Sequence, residues 1–249
     1  MLINPTLERL RAMRLSGMAE ALVRQMEDPN ITQLSFEERF CLLVDHQWLS
    51  RQNRALQQRL KLARLGQHAA IEDIDYKHQR GLDRAQVATL STSQWVASHY
   101  NVIISGPAGI GKSYLACALA HQAVRVGFGA LYFRASRLFQ DLAVARADGS
   151  LQELLKKIAR SDLLVVDDWA IHPLSETERR DFLEICEERY EKRSTILTSQ
   201  FALAHWHTQI GDPTIADGIL DRLVHNAYRI ELKGESLRKM KSPKGGVQS

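Results

Sequence analysis

Apolar positions change their spacing near residue 100, and that change divides the chain. Over residues 1 to about 95 they recur every three or four positions, and no convincing strand pattern occurs. This is the helical period, and it predicts a small all-helical region. Thr6 is placed to cap a helix holding Leu7, Leu10, Met18, Ala21 and Leu22, with Gly17 inside it as a weak point. Asp28-Pro29-Asn30 predicts a turn. Ser35 followed by Glu38 is a capping-box start, and the helix it opens is expected to run through Arg64 and Leu65 and stop at Gly66. Leu49, Leu56, Leu60 and Ala63 share one arc of that helix, its expected buried side.

From residue 101 onward short apolar runs alternate with helical stretches. Asn101–Ser105, Gly129–Arg134, Leu163–Asp168, Ser194–Ser199 and Tyr228–Leu232 read as strands. The runs between them, YLACALAHQAV, SRLFQDLAVARA, LQELLKKIA, SETERRDFLEICEERYEKR and TIADGILDRLVHNA, read as helices. Strands and helices in alternation predict an α/β fold, a parallel five-stranded sheet between helices. The expected organisation is a helical N-terminal domain over 1–70 and an α/β domain over 71–249. Within the latter, 71–100 is a connector into the core and 234–249 a basic tail. In the connector, Ile71, Ile74 and Tyr76 suggest a short extended piece, and Asp83 and Ser91 are candidate helix caps.

Composition narrows the classes. With 45% hydrophobic and 25% charged residues, the 249-residue chain has the balance of a soluble protein. No apolar run is long enough to span a membrane, and charges interrupt every apolar stretch at the N-terminus, which makes a poor signal peptide. Cys41, Cys117 and Cys186 are odd in number and scattered, as expected of reduced thiols in a cytoplasm and not of a disulfide frame or zinc site. A net charge of +4 and a pI near 9.0 permit a nucleic-acid partner without demanding one.

Chemistry concentrates in residues 101 to 113, NVIISGPAGIGKS. Here G-x-x-x-x-G-K-[ST] stands after a strand and before a helix, the setting a phosphate-binding loop requires. Glycines let amide N–H groups crowd around a phosphate, and a helix N-terminus adds positive potential. The candidate ATP-binding residues are Gly106, Pro107, Ala108, Gly109, Ile110, Gly111, Lys112, Ser113 and Tyr114. Lys112 supplies charge to the β- and γ-phosphates, and the Ser113 hydroxyl is a Mg²⁺ ligand. Some fifty residues on, Leu163-Leu164-Val165-Val166-Asp167-Asp168 places two carboxylates at the end of a central strand, the Walker B pattern. Asp167 is the second candidate for Mg²⁺, and Asp168 is placed to orient or deprotonate an attacking water. Thr198-Ser199-Gln200 ends the neighbouring run, where a polar side chain would lie beside that strand.

One further feature is electrostatic. Between His46 and Ile71 there are five basic residues and no acid. Arg51, Arg54, Lys61 and Arg64 fall roughly opposite the apolar arc, an uncompensated stripe that reads as a contact for the phosphate backbone of DNA, with a solvated helix face as the alternative. The segment from Lys233 to Lys244 carries five bases and one acid, and reads equally well as a weak DNA contact or a solubilising tail.

Taken together, LERLRAMRLSGMAEAL, GPAGIGKS, LLVVDDWA, TILTSQ and ILDRLVHNAYRIELKGESLRK resemble the IstB-like helper ATPases of bacterial insertion sequences. These are AAA+ proteins close to the DnaC helicase loaders, and the resemblance spans nearly the whole chain. It implies a P-loop NTPase core that binds ATP and Mg²⁺, oligomerises on duplex DNA and deforms it, and recruits and stimulates a partner transposase. It also implies that Ser199 is the sensor-I residue, Arg222 the arginine finger, and Arg238 the sensor-II residue, alongside Lys112, Asp167 and Asp168 in catalysis. Many AAA+ proteins have Glu where Asp168 stands, but Asp-Asp is common in this family. The alternative is a replicative-helicase loader on single-stranded DNA. A small-molecule kinase shares the loop, but no acceptor lid or acid–base pair supports it.

Overall fold

The computed structural model describes residues 3–78 and 80–237, which divide into two compact units at Gln58/Arg59. The division falls inside a long helix.

The first unit is helical. One expected helix is in fact two, α1 (Ile3–Ala12) and α2 (Ser16–Glu27). Arg14 turns the chain between them with φ 58°, and the Leu15 amide closes back onto the Leu10 carbonyl at 2.8 Å. Thr6 therefore lies within α1 and not ahead of its first residue. A 3₁₀ turn, Ile31–Gln33, follows the Asp28-Pro29-Asn30 turn. Then α3 (Phe36–Ala63) starts on the expected box: the Glu38 amide donates to Ser35 Oγ (3.2 Å), and the Ser35 amide to Glu38 Oε2 (2.7 Å). Gly17 is explained by close approach. A Cβ there would lie 2.8 Å from Ser50 Cβ and 3.1 Å from Gln47 Cα on α3. Gln47 Oε1 accepts the Met18 amide at 3.0 Å beside it. The helix stops three residues before Gly66, because Arg64 itself takes the left-handed conformation that usually ends a helix (φ 50°). Leu49 does not belong to a buried arc, since it is half exposed, whereas Ala63 is fully buried.

In the second unit the end of α3 is followed by a 3₁₀ turn, Ile71–Asp73, where an extended piece was expected. Asp83 caps α4 (Arg84–Ser91), accepting the Ala85 amide at 2.8 Å. Ser91 caps nothing: its hydroxyl donates to Val87 O within α4, and Ser93 precedes the short α5 (Gln94–Ala97). The sheet consists of β1 (Asn101–Ser105), β2 (Ala130–Arg134), β3 (Leu163–Asp167), β4 (Ser194–Ser199) and β5 (Ala227–Glu231). Every pairing is parallel, in the order β2-β3-β4-β1-β5. The helices are α6 (Lys112–Val126), α7 (Ala135–Asp148), α8 (Leu151–Arg160), α9 (Glu176–Arg189), α10 (Trp206–Ile210) and α11 (Pro213–Val224). Strands β1, β3 and β4 are buried along their whole length, which is why β1 and β3 carry the unbroken apolar runs Val102–Ile104 and Leu163–Val166. No described helix is long and apolar enough to cross a membrane.

Two packing features hold the site. Trp169, directly after the paired acids, is fully buried against Trp206 (ring centroids 4.4 Å apart) and Phe182 (5.3 Å). Arg189, at the end of α9, is 2% exposed. Its Nη1 donates to Ile158 O (2.6 Å), Ser161 O (2.9 Å) and Ser161 Oγ (3.0 Å), Nε to Thr195 Oγ1 (3.2 Å), and Nη2 to Ser194 O. One guanidinium thus ties α8 and the entry to β3 to the start of β4. Burial lowers its pKa, to about 9, which leaves it charged at neutral pH.

Candidate nucleotide site

Open α/β sheets bind ligands beyond the carboxyl ends of their strands, and the candidate residues gather there. Between β1 and α6 the chain turns through Gly106 (φ 144°) and Gly111 (φ 102°), conformations open mainly to glycine. A Cβ on Gly106 would overlap Leu232 O, and one on Gly111 would overlap Arg80 Nη1. Helix α6 has no side-chain cap at Gly111, so its first amides point into the loop. Lys112 is buried, with Nζ donating to Gly106 O (2.7 Å) and Pro107 O (3.0 Å). Beside it lies a cavity of about 470 Å³ lined by Ala108, Gly109, Gly111, Lys112, Ser113 and Tyr114 from the loop and by Asp168, Arg134, Gln200 and Arg80. That volume suits a nucleotide.

The two acids diverge. Asp167 is 1% exposed and gripped from both flanking strands. Tyr132 Oη on β2 donates to its Oδ2 at 2.7 Å, and Thr198 Oγ1 on β4 donates to its Oδ1 at 2.5 Å. Burial, and then the bond to Asp167, push the Tyr132 phenol well above its ordinary range. Asp168 instead lines the cavity, carried there by a left-handed backbone (φ 59°). Its amide donates to Thr198 Oγ1 at 2.9 Å, and its carboxylate lies 3.6 Å from Arg134 Nη2.

A family model described as "IstB-like ATP binding protein" matches residues 8–245. The chain belongs to this IstB-like family. An insertion sequence ATP-binding protein of Sinorhizobium fredii, y4pL, is 49% identical over 239 residues, covering 96% of this chain and 98% of the relative. The IS21 ATP-binding protein of Pseudomonas aeruginosa is 35% identical over 241 residues, covering 97% and 90%. The fold is that of AAA+ P-loop proteins. The crystal structure of the DnaC helicase loader superposes with a TM-score of 0.56 at 22% identity, over 66% of this chain and 97% of that one. A replication initiator DnaA bound to AMPPCP and single-stranded DNA gives 0.56 at 19%, over 69% and 52%.

Within the IstB-like chain, Lys112, Ser113, Tyr114 and Asp168 meet at the cavity, with Asp167 just behind it. Ser199 does not line it. This serine is fully buried, its hydroxyl accepting the Phe201 amide at 3.2 Å, while Thr198 before it touches Asp167 and Gln200 after it faces the cavity. Arg222 lies away from its own cavity on α11, with Nη2 donating to Glu187 Oε1 (2.9 Å) and Nη1 to Gly218 O (2.9 Å). Arg238 lies outside the described residues. Arg51, Arg54, Lys61 and Arg64 are all exposed. Arg54 Nη2 donates to Ser16 Oγ at 2.7 Å, and Arg64 stands just past the end of α3.

Arg80 and Arg134 line the cavity and Tyr132 holds Asp167, and the sequence marks none of the three. Tyr132 and Arg134 sit on β2, and only the β2–β3 pairing brings them to the acids. Arg80 comes from the connector, nearly fully buried, with Nη1 donating to Ile110 O at 2.9 Å and Nη2 to Asp75 O at 3.1 Å. Tyr76 does not line the cavity, and the Arg84 guanidinium lies 4.6 Å over its ring. A buried arginine within a polar connector carries no local signal.

Proposed function

We propose that this IstB-like protein is a Mg²⁺-dependent ATPase that assembles in several copies on duplex DNA, deforms it, and recruits and stimulates a partner transposase. The observation that carries the proposal is the shared cavity: a capless helix start, a buried lysine and a carboxylate converge on one space of nucleotide size. The names of the relatives, insertion sequence ATP-binding proteins, favour transposition over helicase loading.

The donor set fits magnesium. Ser113 and Asp167 offer one hydroxyl and one carboxylate, and Mg²⁺ binds through few protein oxygens plus phosphates. No group of three His, Cys, Asp or Glu among the described residues would hold a metal alone. When bound, Mg²⁺ would neutralise charge on the phosphate oxygens. Lys112 would turn from the loop carbonyls to the phosphates, and the α6 amides would hold them. Asp168 would orient water and take its proton, with Arg134 nearby to hold the carboxylate. Arg222 would leave Glu187 to complete the site of a neighbouring copy, a head-to-tail contact. Arg238 would sense the nucleotide within one copy. Arg51, Arg54, Lys61 and Arg64 would meet DNA phosphates.

Two tests follow from these roles. Asp168→Asn should retain ATP affinity and lower steady-state turnover at least about a hundredfold, as loss of a general base does; normal turnover would remove Asp168 from catalysis. Changing Arg51, Arg54, Lys61 and Arg64 together to Ala should weaken duplex binding and flatten its logarithmic salt dependence by about 3 to 4, near 0.9 for each lost phosphate contact. An unchanged gel-shift titration at fixed salt would place the DNA surface elsewhere.

A further inference from the structure

We propose that Tyr132 is a positioning residue for the metal-holding carboxylate, fixing Asp167 together with Thr198 so that it meets nucleotide-bound Mg²⁺ in one orientation. The proposal rests on the ATP–Mg²⁺ reading above and adds to it a residue from an edge strand that the loop and acid motifs do not include.

A carboxylate as deeply buried as Asp167 needs hydrogen-bond donors to remain in place. It has two, one on each oxygen and one from each neighbouring strand: Tyr132 Oη at 2.7 Å and Thr198 Oγ1 at 2.5 Å. With both oxygens held, the carboxylate cannot rotate without breaking a bond. Each oxygen still has a lone-pair direction to offer a cation or its water. Tyr132 is itself wedged. Its ring packs so closely on Gly66 that a Cβ there would overlap the phenol end. Register explains its reach: Tyr132 pairs with Val165, two residues before Asp167, and the length of the ring spans the diagonal. Thr198 adds a second link, since its oxygen also accepts the Asp168 amide at 2.9 Å. Partners that orient a ligand in this way typically change metal affinity by about 10- to 100-fold when removed.

The experiment is a Mg²⁺ titration of fluorescent ATP-analogue binding, without turnover, on wild type and Tyr132→Phe. Phenylalanine keeps the ring against Gly66 and removes only the hydroxyl. The Mg²⁺ concentration giving half of the metal-dependent gain in affinity should rise about tenfold in the variant, while metal-free affinity stays within about twofold. Thr198→Val should shift the Mg²⁺ curve likewise and Thr198→Ser should not, which keeps the test decisive should Tyr132→Phe fold poorly. An unshifted curve in both Tyr132→Phe and Thr198→Val overturns the proposal. So does an equal loss of metal-free affinity, which would mark a merely structural role. A wild type that binds the analogue without any response to Mg²⁺ defeats the ATP–Mg²⁺ reading itself.

Discussion

Replacing Lys112 by alanine is expected to abolish measurable ATP binding, with affinity falling at least about a hundredfold. The ammonium is buried beneath the loop and donates to Gly106 O and Pro107 O at 2.7 and 3.0 Å. Alanine removes the charge meant for the phosphates and also the tie that gathers the loop around its own carbonyls. Hydrogen bonds to charged groups contribute about 1.5–3 kcal/mol each, and each 1.4 kcal/mol is about tenfold in affinity, so two such bonds suffice. Lys112→Arg should rescue little, because a planar guanidinium fork does not replace a compact ammonium in a tight loop. Calorimetric titration with ATP measures the loss, and circular dichroism checks that the sheet is intact. An affinity within threefold of wild type would mean that the phosphates bind elsewhere.

Arg189→Ala is expected to cost roughly 3–5 kcal/mol of folding stability, the range for disrupting a buried polar network. Alanine would take the Arg189 donor away from Ser161 O, Ser194 O and Ile158 O, of which Ile158 O keeps the Ser161 hydroxyl at 2.8 Å, and would open a cavity among α8, α9 and β4. Arg189→Met should recover part of the packing and none of the hydrogen bonding, and fall between the two. Urea unfolding measures the difference. A loss under about 1 kcal/mol would show that water readily replaces the guanidinium. The consequence reaches the site, because Ser194 and Thr195 begin the strand whose other end presents Thr198 to Asp167.

What could be read in the chain was what local chemistry dictates. Strand β1 and the start of α6 fell where the apolar run and the glycine loop put them, and the Ser35 box marked the start of α3. Left-handed arginines were illegible. Arg14 and Arg64 end helices without a glycine, so the break between α1 and α2 and the stop at Ala63 had no local sign. Site residues set by pairing were hidden for another reason. Which of Thr198, Ser199 and Gln200 faces the acids depends on strand register and pleat, since adjacent side chains point to opposite faces. Tyr132 and Arg134 needed the order β2-β3, which no single segment encodes.

Strand order also governs how the molecule comes to exist. The loop-bearing strand β1 ends at Ser105, yet its neighbours are β4 and β5, which begin at Ser194 and Ala227. During synthesis at roughly 5–20 residues per second, β1 waits several seconds or more before either flank has left the ribosome. A nascent chain therefore carries its glycine loop on a strand without sheet neighbours until first β4 and then β5 have followed.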